Sequence, residues 1–565
     1  MVASTHWLAS VTGVAALERG GNAFDAAVAS GFALQVVEPH LNGPGGEVPV
    51  IGYAADRDEI FVVDGQGPAP HAATIERFRD FDVELDLIPG VGLLAACVPG
   101  AFGAWLLLLG EFGTMRLREV LEPAISFARS GYPLVPRISE AIALLEPMFH
   151  NEWPSSAEIY LRDGVPAPGA IFRNEVLADT YGRIVTEAEA ASPDRDEQIE
   201  AARRLFYEGF VAEAIDAFVG EGEGLLRGSD LATWRASLEE PVSLHFGEYE
   251  VFKCGPWTQG PVFLQQLALH DAGALAAMEP HGADRIHATI EVAKLAFADR
   301  ECFYGDPRFV DVPLEGLLGE SYSAQRRGLV EREASRELRP GSPGDRVAQM
   351  PPLFVGEARR PSHLLPGAGD PTRGDTCQVS ATDRWGNFVA ATPSGGWFQS
   401  SPVVPGLGFS LGTRAQMFWL DERMANALAP GKRPRTTLTP TFVTRGGEPY
   451  LAFGTPGGDT QDQWTFNFFV NHAVYGMDLQ EAIDAPMFHT NHFPSSFFPR
   501  GCAPGEIEVE GRIEDHVIEE LRRRGHEVVV TDDWSLGRTS AVARGGDVLK
   551  AAADPRGMQG YAIGR

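Results

Sequence analysis

The chain is 565 residues long, 44% hydrophobic and 10% aromatic, which supplies a sizeable core and excludes global disorder. Its 77 acidic against 47 basic residues leave a formal charge of −30, and so acidic a composition excludes a phosphate-tracking nucleic-acid partner. Five scattered cysteines make no C-x-x-C pair, no apolar run reaches the roughly 18 residues of a membrane span, and no basic-then-apolar opening is present, so we expect no disulfide framework, zinc ribbon or membrane partner and a cytoplasmic location.

In chain order, Gly20-Gly21-Asn22 reads as a turn ending in an asparagine N-cap. Residues 23–37 follow as an alanine-rich helix, apolar nearly all round and therefore buried. Glu38-Pro39 stops it, and Asn42-Gly43-Pro44-Gly45-Gly46 reads as a flexible turn. Residues 48–53 and 60–63 predict a hairpin. Helical periodicity dominates from about 99 to 300, with 101–109, 117–129 and 283–303 the clearest segments, and its short breaks argue for one helix-rich layer. A Pro/Arg/Gly-rich run over about 339–373 suits no packed element and reads as a mobile linker. Beyond it come two hairpins, 376–383 with 388–392 and 440–444 with 450–454. Helices over 460–475 and 513–524, a short one capped by Asp478, a strand over 527–531 and a last pair near 539–552 complete the pattern. Hairpins interleaved with buried helices predict an α+β sandwich, sheets covered by helices.

Gly374-Asp375-Thr376-Cys377 joins the linker to the first of those strands. Taken alone, G-D-T is most simply a tight turn. A small hydroxyl residue where a disposable segment meets a buried strand also suits a chain that cuts itself. The cut would give Thr376 a free α-amine, and with a pKa near ~7.7–8.0 that amine can act as base for its own hydroxyl. Thr455-Pro456-Gly457-Gly458-Asp459 reads either as a glycine turn or as adjacent amides aimed at one point, an oxyanion hole. Lys432-Arg433-Pro434-Arg435-Thr436-Thr437, taken alone, reads as a solvated turn. His489 and His492 stand at no recognisable metal-ligand spacing from a third candidate, so no metal is expected. Phosphate-loop and G-x-S-x-G patterns do not occur at these sites.

Together these pieces resemble the γ-glutamyltranspeptidase family of N-terminal nucleophile hydrolases. The resemblance runs through Val2-Ala3-Ser4, Gly20-Gly21-Asn22-Ala23-Phe24-Asp25-Ala26-Ala27-Val28, Val37-Glu38-Pro39-His40, Ala298-Asp299-Arg300 and Gly305-Asp306-Pro307. It continues through Lys432-Arg433-Pro434, Thr455-Pro456-Gly457-Gly458 and Gln480-Glu481-Ala482-Ile483-Asp484-Ala485-Pro486, in order along nearly the whole chain. It implies an αββα sandwich of the N-terminal nucleophile type, cut once between Asp375 and Thr376. The products would be a helix-rich large subunit, 1–375, and a small subunit, 376–565, which stay together. No cofactor is implied; the partners are a small-molecule amide and the two subunits themselves, with room for a homo-oligomer of the processed heterodimer. Carried over by position, Thr376 is the nucleophile, Ser394 orients it, and Gly457 and Gly458 supply the oxyanion amides. Thr436 and Thr437 match the hydroxyl pair at the substrate's carboxylate end, and Gln416 is a further substrate-binding position.

Three anchors depart from the family pattern. Gln66, in Asp64-Gly65-Gln66-Gly67-Pro68-Ala69-Pro70, stands where the family has an arginine for the γ-glutamyl carboxylate. Trp419, in Gln416-Met417-Phe418-Trp419, stands where it has the aspartate that meets the ammonium, and Gly396 replaces an asparagine. A neutral amide lacks the charge and the fork of an arginine, and a missing charge-assisted bond costs about 1.5–3 kcal/mol. The expected activity is a self-processing, glutathione hydrolase-like amidohydrolase or acyltransferase whose acyl group is not a free γ-glutamyl. An oxamate amidohydrolase or a cephalosporin-acylase-like enzyme are the compatible alternatives, and a catalytically silent binding relative is the alternative from another class. Trp397, Phe398, Phe418 and Trp419 read equally as lining a smaller, more apolar pocket or as core. Cys377 competes with Thr376 for the new N-terminus, but the spacings to Ser394 and Gly396 favour Thr376.

Overall fold

Residues of alternating strand positions point into two different apolar layers, and this makes the architecture. The computed structural model describes residues 1–81, 83–356, 375–557 and 559–565. Its central strands are β1 (Val2–Ser4), β2 (Val50–Ala54), β3 (Glu59–Asp64), β4 (Ser237–Glu239), β5 (Val242–Phe246), β6 (Tyr249–Lys253) and β7 (Val379–Thr382). They continue with β8 (Phe388–Ala391), β9 (Thr441–Arg445), β10 (Glu448–Gly454), β11 (Ser540–Gly545), β12 (Val548–Ala553) and β13 (Tyr561–Ile563). A seven-stranded sheet runs β13-β1-β7-β8-β2-β3-β4, and a six-stranded sheet runs β12-β11-β10-β9-β6-β5.

Ala3, Ile51 and Ala390 of the first sheet pack against Phe442, Ala452 and Val542 of the second, the layer between the sheets. Their sequence neighbours Val2, Val50, Val389 and Ala391 face the other way, into the helices. Here α1 (Trp7–Glu18), α2 (Ala23–Val37) and α3 (Ala101–Phe112) cover the first sheet, with α4 (Leu117–Ser130) packed on α2. On the second sheet lie α5 (Pro261–Leu269) and α7 (Gln461–Ala473), with α6 (Ala283–Phe303) packed on α5. The result is the αββα sandwich. The central strands β7 and β8 are buried on both faces, whereas the edge strand β5 still alternates, with Ser243 and His245 exposed.

Asn22 caps α2 as its sequence predicts. Its Oδ1 accepts from the amides of Phe24 and Asp25, and Asp25 Oδ2 accepts from the Asn22 amide at 2.8 Å, a capping box. The helix is buried on all sides and ends at Glu38, the residue it delivers to the site.

Four expectations are corrected. The stretch from 99 to 300 is not only helical, since it contains β4, β5 and β6. Asn42 to Gly46 is not a flexible turn: all five residues are buried against 394–396 and 410–411, and a Cβ on Gly46 would lie 2.1 Å from the Ser394 carbonyl oxygen. Lys432 to Thr437 is not solvated; it is buried, for reasons given below. The linker expected over 339–373 is anchored in its first half, where Arg339 bonds Glu291 at 3.1 Å and the Gly341 amide bonds Asp299 at 2.7 Å. Further on, Phe354–Val355 pairs in parallel with Gly501–Cys502. Residues 357–374 lie outside the described residues.

Candidate active site

Sheet register builds the site. In the β7–β8 ladder Val379 faces Ala391, and three residues further the same register places Thr376 opposite Ser394. In the β8–β2 ladder Ala391 faces Val50, and its extension places Ser394 opposite Glu47. Three segments remote in sequence are thus held side by side. A one-residue slip would turn each of these side chains to the opposite face.

Thr376 Oγ1 lies 3.2 Å from Ser394 Oγ. Ser394 Oγ also lies 2.9 Å from the carbonyl oxygen of Asp375, to which it donates, and it accepts from Arg414 Nη2. With its one proton given to Asp375, Ser394 is left as the acceptor of the Thr376 hydroxyl. Trp397 Nε1 donates to the same Asp375 oxygen at 2.8 Å and to Leu41 O at 2.7 Å. Two donors therefore polarise the one carbonyl that precedes Thr376. Arg414 is fixed by a buried ion pair with Glu47, whose carboxyl is nonetheless pushed up by burial, with Arg414 opposing. The Asp375 side chain accepts the Thr376 amide at 2.9 Å and is ion-paired with Arg538.

Cys377 points to the other face of the strand. Its thiol donates to Glu38 Oε2 at 2.9 Å, beside Thr5 Oγ1, which donates to the same oxygen at 2.9 Å. Burial pushes the Cys377 thiol well above its usual range and the Glu38 carboxyl up to about 7. His40, next along, has both ring nitrogens buried with no hydrogen-bond partner among the described residues, and burial keeps its imidazole neutral.

Asp375, Gly457 and Gly458 line a cavity of about 630 Å³, together with Arg137, Arg538 and His40. Strand β10 ends just before the glycine pair and α7 begins just after it. Gly457 and Gly458 have φ of 130° and 58°, a region that a side chain would strain, and this turns the chain sharply at the cavity wall. Asp459 holds the turn from behind, paired with Arg300 and accepting the Ser496 amide at 2.8 Å. Arg300 also pairs with Glu301 at 2.6 Å, and Glu301 with Arg435 at 2.7 Å. Arg433 is gripped by Asp306 at 2.9 Å and Asp64 at 2.7 Å. These charged motifs brace the turn and the neighbouring segments; they are buried because each charge has a partner.

The structure does not bring the other expected binding residues to this cavity. Gln66, Gly396, Gln416, Trp419, Thr436 and Thr437 are all buried, none of them on its wall. Gln416 is engaged by Gly90 O, Thr413 and the Phe498 amide. Gln66 Oε1 and Thr437 Oγ1 have no hydrogen-bond partner among the described residues. Trp419 packs with Leu87, Met424 and Ala427 under the Arg500 guanidinium, 3.9 Å from the ring centroid. Phe398 and Phe418 belong to other apolar clusters, so of the four aromatics only Trp397 touches the Asp375–Thr376 junction. Of the two histidines, His489 lines the cavity, and His492 spans Glu337 O at 3.0 Å and the Gly505 amide at 3.0 Å. Sequence reasoning missed Arg538, Arg137, Arg414 and the hydrogen-bonding role of Trp397. Nothing local marks them, because their partners lie far away in the chain.

The family profile described as Gamma-glutamyltranspeptidase matches residues 9–564. The glutathione hydrolase-like YwrD proenzyme of Bacillus subtilis (strain 168) is 31% identical over 100% of this chain and 98% of its own length. A solved structure of an LmbA2991 variant is 50% identical, with a TM-score of 0.94 and coverage of 100% of this chain and 98% of that one. The crystal structure of cephalosporin acylase from Bacillus halodurans is 29% identical, with a TM-score of 0.83 and coverage of 99% and 94%. Among the described residues no helix is long and apolar enough to cross a membrane. A family profile matched from end to end, on a fold shared with these relatives, means that the chain belongs to the γ-glutamyltranspeptidase family of self-processing hydrolases and transferases.

Proposed function

We propose that this enzyme cuts itself between Asp375 and Thr376 and then hydrolyses an amide through an ester on Thr376. The observation that carries this reading is the junction itself: Thr376 Oγ1 stands 3.2 Å from Ser394 Oγ, and the preceding carbonyl oxygen is held by Ser394 at 2.9 Å and Trp397 at 2.8 Å. In the first step Thr376 Oγ attacks the Asp375 carbonyl carbon. The C–N bond breaks, the hydroxyl proton ends on the departing nitrogen, and Asp375 becomes an ester on Thr376. Water then splits the ester, leaving Asp375 as a new carboxyl terminus and Thr376 with a free amine and hydroxyl. In turnover that amine takes the hydroxyl proton, the oxygen attacks a substrate amide, and the amine returns the proton to the leaving nitrogen. Gly457 and Gly458, on the wall that Asp375 shares, are the amides suited to the substrate oxyanion.

Cys377 is the weaker candidate, since its thiol is buried on the far face of the strand and committed to Glu38. An acyl group other than a free γ-glutamyl is favoured, since Gln66 and Trp419, which stand where the family pattern has charged anchors, carry no charge and lie buried off the cavity wall. A denaturing gel tests the cut. The purified protein should give two pieces, the smaller one beginning Thr-Cys-Gln, and Thr376→Ala should remain a single band at 61.1 kDa. A wild-type band that stays whole on long incubation, or a smaller piece beginning Cys-Gln-Val, would overturn the assignment.

A further inference from the structure

We infer that in the processed enzyme Arg538, with Arg137 beside it, receives a carboxylate of the acyl donor, and that the donor carries this carboxylate two carbons beyond its acyl carbonyl. The inference rests on the cut proposed above. The ester made during self-cleavage and the ester made in turnover share the same atoms, Thr376 Oγ bonded to an acyl carbon. In the uncut chain that acyl group is Asp375 itself, seated on the nucleophile. Its carbonyl is held by Ser394 and Trp397, and its side-chain carboxylate is ion-paired with Arg538. On the acyl side Asp375 thus shows two carbons and a carboxylate against a guanidinium; its oxygen rests on Ser394 and Trp397 in the uncut chain, where a substrate's would turn to Gly457 and Gly458.

The surroundings make Arg538 a receiver once Asp375 is released from Thr376. Its backbone amide is fixed by Thr455 Oγ1 at 3.1 Å, and its Nη1 is shielded from solvent with no hydrogen-bond partner among the described residues. Arg137 lines the same cavity and, among the described residues, makes no ion pair or hydrogen bond. Its guanidinium is pulled down in pKa chiefly by the charge of Arg538, which lines the same cavity, with Asp375, Glu38 and Glu140 the acids that offset it. Other acids on the wall are engaged or differently placed. Asp459 is tied to Arg300 and Ser496, Glu508 bonds Asn491 at 2.8 Å, and Glu140 lies on the Arg137 helix, Pro136–Asn151. Release of Asp375 leaves the mostly buried Arg538, beside the exposed Arg137, short of an anion, which a substrate carboxylate restores. A γ-glutamyl donor puts three carbons between the same groups, one too many for this seat.

The test uses processed wild-type enzyme and two probes of nearly the same shape that differ in charge, N-methylsuccinamate and its neutral diamide N-methylsuccinamide. Calorimetry should show the succinamate binding about 10- to 100-fold more tightly. Arg538→Gln should erase the difference between the probes and Arg538→Lys should restore part of it. If Arg538→Gln fails to process, Arg137→Gln takes its place and should narrow the difference. Hydrolysis should follow the same order, succinyl p-nitroanilide ahead of butyryl and γ-glutamyl p-nitroanilides. Equal binding of the two probes, or no binding of the succinamate, in cleanly cut enzyme overturns the carboxylate site and leaves the cleavage reading intact. A wild-type chain that never cuts overturns both.

Discussion

Trp397 offers a direct test of what prepares the Asp375–Thr376 bond for attack. Its indole N–H is one of two donors on the carbonyl oxygen that must take up negative charge. Losing one such donor costs about 2.7–4 kcal/mol at the transition state, so Trp397→Phe should slow self-cleavage by about 100- to 1000-fold. A time course of band conversion on denaturing gels measures this, and an unchanged melting curve would show that the fold survived. Glu38 supports a prediction of a different kind. Burial raises its carboxyl from 4.5 to about 7, with hydrogen bonds from Cys377 and Thr5 opposing. Between those two values the unfolded chain has given up the proton and the folded chain still holds it, so stability falls as pH rises and levels off above about 7. The loss is on the order of 3 kcal/mol by pH 8. Glu38→Gln cannot ionise and escapes it. In a Thr376→Ala background, which keeps one chain, the urea midpoint of the glutamine variant should exceed that of its parent by more at pH 8 than at pH 5.

At the scale of elements, the capped helix α2 was legible in the sequence and the segment after it was not. Asn22 followed by Asp25 three residues on is a local signal, and the capping box is present. Asn42 to Gly46 carries an equally strong local signal for flexibility, yet its glycines serve close approach. The Glu47 amide bonds Ser394 O at 2.8 Å, and the preceding glycine must lie flat against that same carbonyl. Nothing within the segment announces a partner some 350 residues away. Gly46→Ala should therefore separate the 47 and 394 segments, lowering the melting temperature by several degrees and abolishing cleavage. Gly220→Ala, with open space at its Cβ inside the helix Phe210–Glu221, should be neutral or slightly stabilising, by up to about 1 kcal/mol. Strands β4 to β6 escaped for a related reason: they are short and follow a long helical region, so local pattern alone undercounts them. Thr376 and Ser394 could be named together because the family resemblance carried both positions over, and they meet at 3.2 Å across one hairpin, whereas Arg538 and Arg414 reach the site from separate segments.

Across the whole molecule, the proposed cut falls between strands that are thoroughly interleaved. Strands β1 to β6 precede residue 375 and β7 to β13 follow it. In the first sheet β1 lies between β13 and β7, and β2 lies between β8 and β3, so three ladders join the two pieces. A fourth, β6 with β9, joins them in the second sheet. The N-terminus of α2 is tied across the cut as well, through the Ala23 amide and Asp383 Oδ2 at 2.8 Å. The apolar layers are shared in the same way, with Ile51 and Val62 packed among Phe388, Phe442 and Val542. Separating the pieces would expose sheet edges and core together, so neither piece has a folded state of its own to fall back on. The cut enzyme should therefore behave as a single cooperative body. In a urea titration followed by native mass spectrometry, free 376–565 should appear only at the concentration where far-ultraviolet circular dichroism is lost. Its release at a lower concentration, with the dichroism still intact, would mean that the two sheets hold the pieces far less tightly than their shared ladders imply.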